Sequence, residues 1–321
     1  MVERRNKPSA LASTPGLVPQ PQVNISHGNQ RVSAVLPTGE SVEVMLYGAT
    51  VVSWKDSDGN EKLWLSEATK LDGSKPIRGG IPLVFPVFGP PPANHPTSKL
   101  PQHGLARTSR WEFLGKSTSE SEAAEADLSV KLDFGLSAAT LDEAARALWP
   151  YTFGLIYSVT LTRDSLTTSL VVTNDDNKPF DVQVLLHTYF RIPDINKIQI
   201  TGLEGAEYID KVDNRKIKTQ ETPAVTITSE TDRVYTPKGG ADAPIAIVDQ
   251  SSGRPLYKLS RDNLGDVVVW NPWAEKAVSM PDFGPDDGYR NMVCVEAGAV
   301  RGWQTLEPGD AFEGAQTITL A

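Results

Sequence analysis

The chain has 321 residues, with 31 basic and 40 acidic side chains and a formal net charge of −9. That balance argues against a nucleic-acid protein, whose footprint is a basic patch or stripe. A single cysteine, Cys294, excludes an intramolecular disulfide framework and suits a reducing compartment; no apolar run approaches the roughly 18 residues of a membrane span, and no apolar secretory segment follows Arg4, Arg5 and Lys7, so a cytoplasmic protein is expected.

Residues 1–22 are rich in Pro, Ser and Gln and read as a disordered arm. Residues 23–321 show no break in composition and read as one domain. Val42, Val44 and Leu46 alternate with Glu43, Met45 and Tyr47 behind a Pro37-Thr38-Gly39 turn, which predicts a hairpin. Ala49 to Trp54 and Leu63 to Leu65 read as further strands on either side of the turn cluster Asp56 to Asn60.

The stretch from Pro76 to Trp111 carries Arg78, His103, Arg107 and Arg110 on chain too rich in Gly and Pro for a long regular element. Gly79-Gly80 permits positive φ, and the prolines stiffen the path. Rigid irregular chain bearing several cations suits an anion or sugar site. Taken singly, each of these residues reads as a solvated surface group; four so close together point to a site. In an acidic protein, an anion site must be a local cluster of cations working against the overall field.

The acidic segment 117–127 reads as a solvated loop or edge hairpin. One helix is expected: Thr140 and Glu143 form a capping-box pattern, Leu141, Ala144, Ala145 and Leu148 form a stripe, and Pro150 stops it. Strands then follow densely. They are expected at 155–162, 167–173, 180–190, 198–203, 224–228, 233–235, 245–248, 256–260, 266–270, 291–296 and 316–320. This grammar predicts an all-β protein, a large antiparallel β-sandwich with few short helices. No G-x-G-x-x-G or P-loop pattern occurs, so a nucleotide-binding α/β fold is not expected.

Within those strands, Leu185, His187 and Tyr189 share one face. An imidazole among apolar neighbours needs a partner or a cavity, as a satisfied core histidine or as a working group. Met292, Cys294 and Glu296 likewise share a face. Glu296 is either a costly buried carboxylate or a strand-end residue, exposed or bound to an arginine. Cys294 reads as buried filler, because nothing near it in sequence activates a thiol. Asp232 and Arg233 read as a local ion pair or turn. Trp270 to Trp273 (WNPW) is a core plug or a platform for a sugar ring. Glu275, Asp282, Asp286 and Asp287 read as a polar loop.

The segments HGLARTSRW, LLHTYF, TDRVY, VVWNPW and MVCVEAG, in this order, resemble the glucose-6-phosphate 1-epimerase branch of the aldose 1-epimerase family. The resemblance covers nearly the whole chain after the arm. It implies a galactose-mutarotase-like β-supersandwich with no metal and no cofactor. It also implies interconversion of α and β anomers of hexose 6-phosphates. By that resemblance His187 is the general acid and Glu296 the general base, while Arg78, His103 and Asp232 contact the sugar. Gln102 and Arg107 belong to the phosphate-sugar form of the loop. Arg78 and Arg107 are the expected phosphate ligands, with Arg110 a third candidate. The expected partner is a small-molecule sugar phosphate, with no nucleic acid and no membrane, bound by a monomer. The alternatives are an aldose 1-epimerase for free hexoses and a sugar-phosphate binding module without turnover. A two-carboxylate glycosidase ranks last, since Glu296 has no evident carboxylate partner.

Overall fold

Alternating burial writes much of the architecture. Val32 and Ala34 on the strand Arg31–Val35, and Val42 and Val44 on Ser41–Met45, are buried while their neighbours reach solvent. They turn one face of a four-stranded antiparallel sheet inward, completed by Gln22–Ser26 and Thr50–Lys55. The computed structural model describes residues 19–118 and 128–321. Most of the expected arm at 1–22 and of the acidic segment at 117–127 therefore lies outside the described residues.

Two larger sheets make the body. The nine-stranded sheet runs Ala224–Val225, Ile198–Thr201, Ile245–Asp249, Pro255–Asp262, Ala311–Leu320, Ser165–Asn174, Phe153–Leu161, Val130–Ser137 and Glu112–Thr118. The eight-stranded sheet runs Lys216–Thr219, Glu207–Asp210, Thr231–Thr236, Asp266–Asn271, Met292–Leu306, Phe180–Leu186 and Leu83–Val84, with Tyr189–Arg191 also paired to Met292–Leu306. Every strand pair in the three sheets is antiparallel. One continuous apolar core draws Val44, Phe134, Tyr157, Leu186 and Val295 from all three. This is the expected all-β sandwich with few short helices.

Several details differ from expectation. The helix is Glu143–Leu148, and its cap is Asp142, whose carboxylate accepts from the Ala145 N–H at 2.7 Å. Thr140 instead donates its hydroxyl to the Ser137 carbonyl. Asp142 reaches the third amide of the helix as a capping side chain should, which leaves Thr140 to close the preceding turn. Residues 63–65 make only isolated bridges, Leu63 to Phe190 and Leu65 to Gly79. The expected strand at 180–190 is broken between Leu186 and Tyr189. A second short helix, Trp273–Ser279, and the strands Gln22–Ser26, Leu83–Val84, Val130–Ser137, Glu207–Asp210 and Lys216–Thr219 were not foreseen.

Candidate active site

The eight-stranded sheet is apolar on both faces, but the faces differ in use. Leu186, Val267, Val269, Val293, Val295 and Ala297 point into the main core. Tyr189, Val234, Val268, Trp270, Met292 and Cys294 gather on the other side. Period-two alternation sets Asp232, Glu296 and His187 on that second side. Pairing aligns them, with Asp232 opposite Trp270 and Val268 opposite Glu296.

The break in the ladder positions His187. Leu186 pairs with Ala297 and Tyr189 with Cys294, so the register is kept across the gap. His187 therefore sits across from Glu296. Its backbone N–H turns away to the Pro82 carbonyl at 3.0 Å. The side chains meet, with Nδ1 3.2 Å from Glu296 Oε1. The geometry falls short of a hydrogen bond, and neither Nδ1 nor Glu296 Oε2 has a hydrogen-bond partner among the described residues. His187 is 8% exposed and Glu296 1%. The imidazole stacks on Tyr189 at 4.7 Å and meets the rings of Trp270 and His103 edge-on.

The loop 76–111 arrives over this face. It turns at Gly80 (φ +67), where a Cβ would stand 2.0 Å from the Val51 carbonyl oxygen, so only glycine fits. Arg78 is clamped by Asp282, with Nη2 at 3.0 Å from Oδ2, and donates to the Tyr189 hydroxyl at 3.2 Å. His103 holds a left-handed backbone (φ +68), and its Nδ1 accepts from the Gly89 N–H at 3.2 Å.

A pocket of about 320 Å³ results, lined by Arg78, Gln102, His103, His187, Asp232 and Glu296 together with Phe88, Lys211, Val268, Trp270, Lys276 and Met280. That volume suits a small molecule. Six of the seven site residues expected from sequence thus meet in one cavity. The seventh, Arg107, stands beside it and donates to the Gln102 carbonyl at 2.8 Å. Arg110 does not join them. It donates to the Asn29 carbonyl and lines a separate groove against the helix Glu143–Leu148.

Other readings are corrected. Asp232 pairs with Lys211 at 2.8 Å, not with Arg233. Adjacent strand residues point to opposite faces, so Arg233 turns toward Tyr235 and Asp210 instead. Glu296 is not at a strand end, since its strand runs on to Leu306, and no arginine among the described residues bonds it. Asp282 is the partner that holds Arg78. Sequence reasoning missed Lys211 and Lys276; Lys211 lies in the charged stretch YIDKVDNRK, which reads as an ordinary solvated turn.

Burial governs the electrostatics. It pushes the Glu296 carboxyl well above the ordinary range, with Asp232 adding to the rise and Lys211 opposing it. It pushes the His187 imidazole well below its usual value, helped by the cations Arg107 and Arg78. His103 is lowered in the same way, by burial and then Arg107. Arg107 itself is drawn down to about 10, chiefly by burial. Burial therefore disfavours charge on both His187 and Glu296, and two groups this close titrate as a unit.

These features define a class: a β-sandwich protein with a buried histidine–carboxylate pair in a small cavity ringed by cations. The sequence matches the aldose 1-epimerase family over residues 31–319, and the chain belongs to that family. A relative from Cenchrus ciliaris, named as a candidate glucose-6-phosphate 1-epimerase, is 36% identical over 275 residues, spanning 85% of this chain and 79% of that protein. A protein of the same name from Escherichia coli K12 is 32% identical over 276 residues, 86% of this chain and 85% of its own. The crystal structure of a candidate mutarotase from Salmonella typhimurium matches with a TM-score of 0.78 at 30% identity, covering 95% of each chain.

Proposed function

We propose that this protein interconverts the α and β anomers of hexose 6-phosphates, chiefly glucose 6-phosphate, through acid/base-assisted ring opening and reclosure. The observation that carries this reading is the apposition of His187 and Glu296 at 3.2 Å inside a cavity bordered by Arg78, Lys211 and Lys276. The relatives named above support the choice of a phosphorylated hexose. Residues 23–321 act as one catalytic domain, working as a cytoplasmic monomer.

Ring opening needs one proton taken from the C1 hydroxyl and one given to the ring oxygen. Glu296 takes the first and His187 gives the second. The pair's single proton starts on the carboxyl; moving it to the imidazole across the 3.2 Å contact makes the acid and the base together. A free glutamate, with a pKa of about 4.3, is a poor base toward a sugar hydroxyl, and each unit of mismatch costs about 1.36 kcal/mol. Burial of Glu296 narrows that gap by raising its basicity. Coupling proton removal to cleavage of the C1–O5 bond does the rest. After rotation about C1–C2 the carbonyl offers its other face, and the two groups run in reverse.

Arg78 and Arg107 grip the phosphate, since a guanidinium fork offers paired donors to phosphate oxygens. Gln102, His103 and Asp232 hold the sugar, and the Trp270 ring borders it. Binding energy at the phosphate positions C1 between acid and base. The second reading is an epimerase for free hexoses. One observation favours it: Arg78 and Arg107 already have partners, in Asp282 and the Gln102 carbonyl. Magnetisation-transfer NMR of anomer exchange with glucose 6-phosphate and with glucose separates the two. Faster exchange of the phosphorylated sugar is expected; equal acceleration of both favours the second reading, and no acceleration of either overturns both.

A further inference from the structure

The catalytic pair has a third neighbour that the proposed reaction leaves idle. Cys294 lies two residues before Glu296 on the strand Met292–Leu306, so both side chains leave the same face. Tyr189 pairs across from Cys294, as His187 sits across from Glu296. An imidazole nitrogen of His187, the sulfur of Cys294 and a carboxylate oxygen of Glu296 lie within 4.8 Å of one another. Spare lone pairs are present as well. His187 Nδ1 and Glu296 Oε2 are buried without a hydrogen-bond partner among the described residues, and Cys294 is a buried free thiol.

We propose that this trio is an inhibitory binding site for a borderline-soft divalent cation, zinc above all, distinct from any resident cofactor. Nitrogen, sulfur and carboxylate oxygen together are a zinc donor set. With metal–ligand bonds of about 2.0–2.3 Å, the ligand atoms of a tetrahedral ion stand roughly 3.5 Å apart. The Nδ1–Oε1 separation of 3.2 Å is already close to this, and small side-chain rotations bring in the sulfur. The ion reaches the trio through the pocket, which His187 and Glu296 line.

Charge selects the metal. The ligating forms are the Cys294 thiolate, the Glu296 carboxylate and the neutral His187 imidazole. A dication, a thiolate, a carboxylate and a neutral imidazole then sum to zero. Lys211 and the two arginines at 78 and 107 oppose any dication not neutralised in this way. Magnesium and calcium prefer oxygen donors and do not use the sulfur. A bound zinc ion occupies the lone pairs that must carry the reaction's protons, so metal binding and anomer exchange exclude each other. The inhibition rests on the proposed function; the metal site does not.

The test separates the two. Cobalt(II) is titrated into the full-length protein without sugar, and thiolate-to-cobalt absorption is recorded. Cys294 is the chain's single cysteine, so such a band in the wild type reports this site; it is expected there and absent in Cys294→Ala. Zinc is then titrated against exchange of glucose 6-phosphate, with magnesium as control. Zinc inhibits the wild type and magnesium does not. Cys294→Ala keeps its basal exchange and needs about tenfold more zinc, or beyond, for the same inhibition. Cys294→Val replaces it should the alanine variant fold poorly. A wild type without the cobalt–thiolate band, or variants inhibited as strongly as the wild type, overturns the proposal. Absent exchange activity with the band present overturns the proposed function and leaves the metal site standing.

Discussion

The two large sheets are built on different rules. In the nine-stranded sheet, Ser165–Asn174 alternates strictly between buried and half-buried residues and pairs along its length without a register shift. In the eight-stranded sheet, Asp266–Asn271 is buried throughout, and so are the first nine residues of Met292–Leu306. There the ladder to Phe180–Leu186 shifts between Val182 and Val184, and it lapses at His187 and Thr188. A sheet with one wet face places polar side chains outward at little cost. A sheet covered on both faces loses stability with every polar group it holds. His187 and Glu296 sit on the covered sheet, and the proposed reaction accounts for their cost. Both sheets feed the main core, and on the proposed function the second gives up part of its stability to reactivity.

That division can be broken or sharpened in five ways. The largest effect is expected at the pair. His187→Asn and Glu296→Gln each lower the exchange rate by on the order of 10²-fold or more, measured by NMR on folded protein. Near-normal rates in either variant remove that residue from the mechanism. Stability moves the opposite way for Glu296→Gln. Because the folded-state pKa of Glu296 is raised, its contribution is fully present below the ordinary glutamate range and is lost as pH rises through the folded value. Glutamine does not titrate, so the variant's urea midpoint overtakes the wild type's as pH climbs toward neutrality. A constant offset would contradict the raised value.

Leu170→Ala tests the other sheet. Leu170 is fully buried in the main core, and its truncation costs about 2–5 kcal/mol of stability by chemical denaturation. kcat/KM of the folded variant stays at the wild-type value. A selective loss of activity would show that the two sheets do not divide the work. Arg107→Ala sharpens the substrate assignment. It lowers kcat/KM for glucose 6-phosphate by roughly tenfold to a hundredfold and leaves glucose unaffected. Equal losses on both sugars would return Arg107 to a structural role beside Gln102.

The smallest effect is the shape of the pH profile. With His187 lowered and Glu296 raised, the one-proton form lies between two macroscopic ionisations. Below it both groups hold protons and no base exists; above it both have lost them and no acid exists. A bell-shaped kcat/KM is expected, with its acid limb below the ordinary histidine range. A single limb would assign the reaction to one group alone.

Much of the site was legible before the fold. His187 and Glu296 stood out as polar residues in apolar strand patterns, Arg78, His103 and Arg107 shared one short irregular loop, and Gln102 came from the family resemblance. Asp232 came from its motif. Their partners were not legible. Lys211 looked like any solvated turn lysine, Asp282 like loop acid, and Arg110 like a third phosphate arginine. The Thr140 capping pattern was read two residues early: Asp142 caps the Ala145 amide instead, and Thr140 closes the turn before it.

The sequence by itself determined which face of each strand a side chain would take, since alternation is a local property of extended chain. Only the tertiary structure decided which charges meet. The apposition of His187 with Glu296, Arg78 with Asp282 and Lys211 with Asp232 depends on ladder register and loop path between segments distant in sequence. Those are settled by the packing of whole sheets, not by the pattern within any one strand.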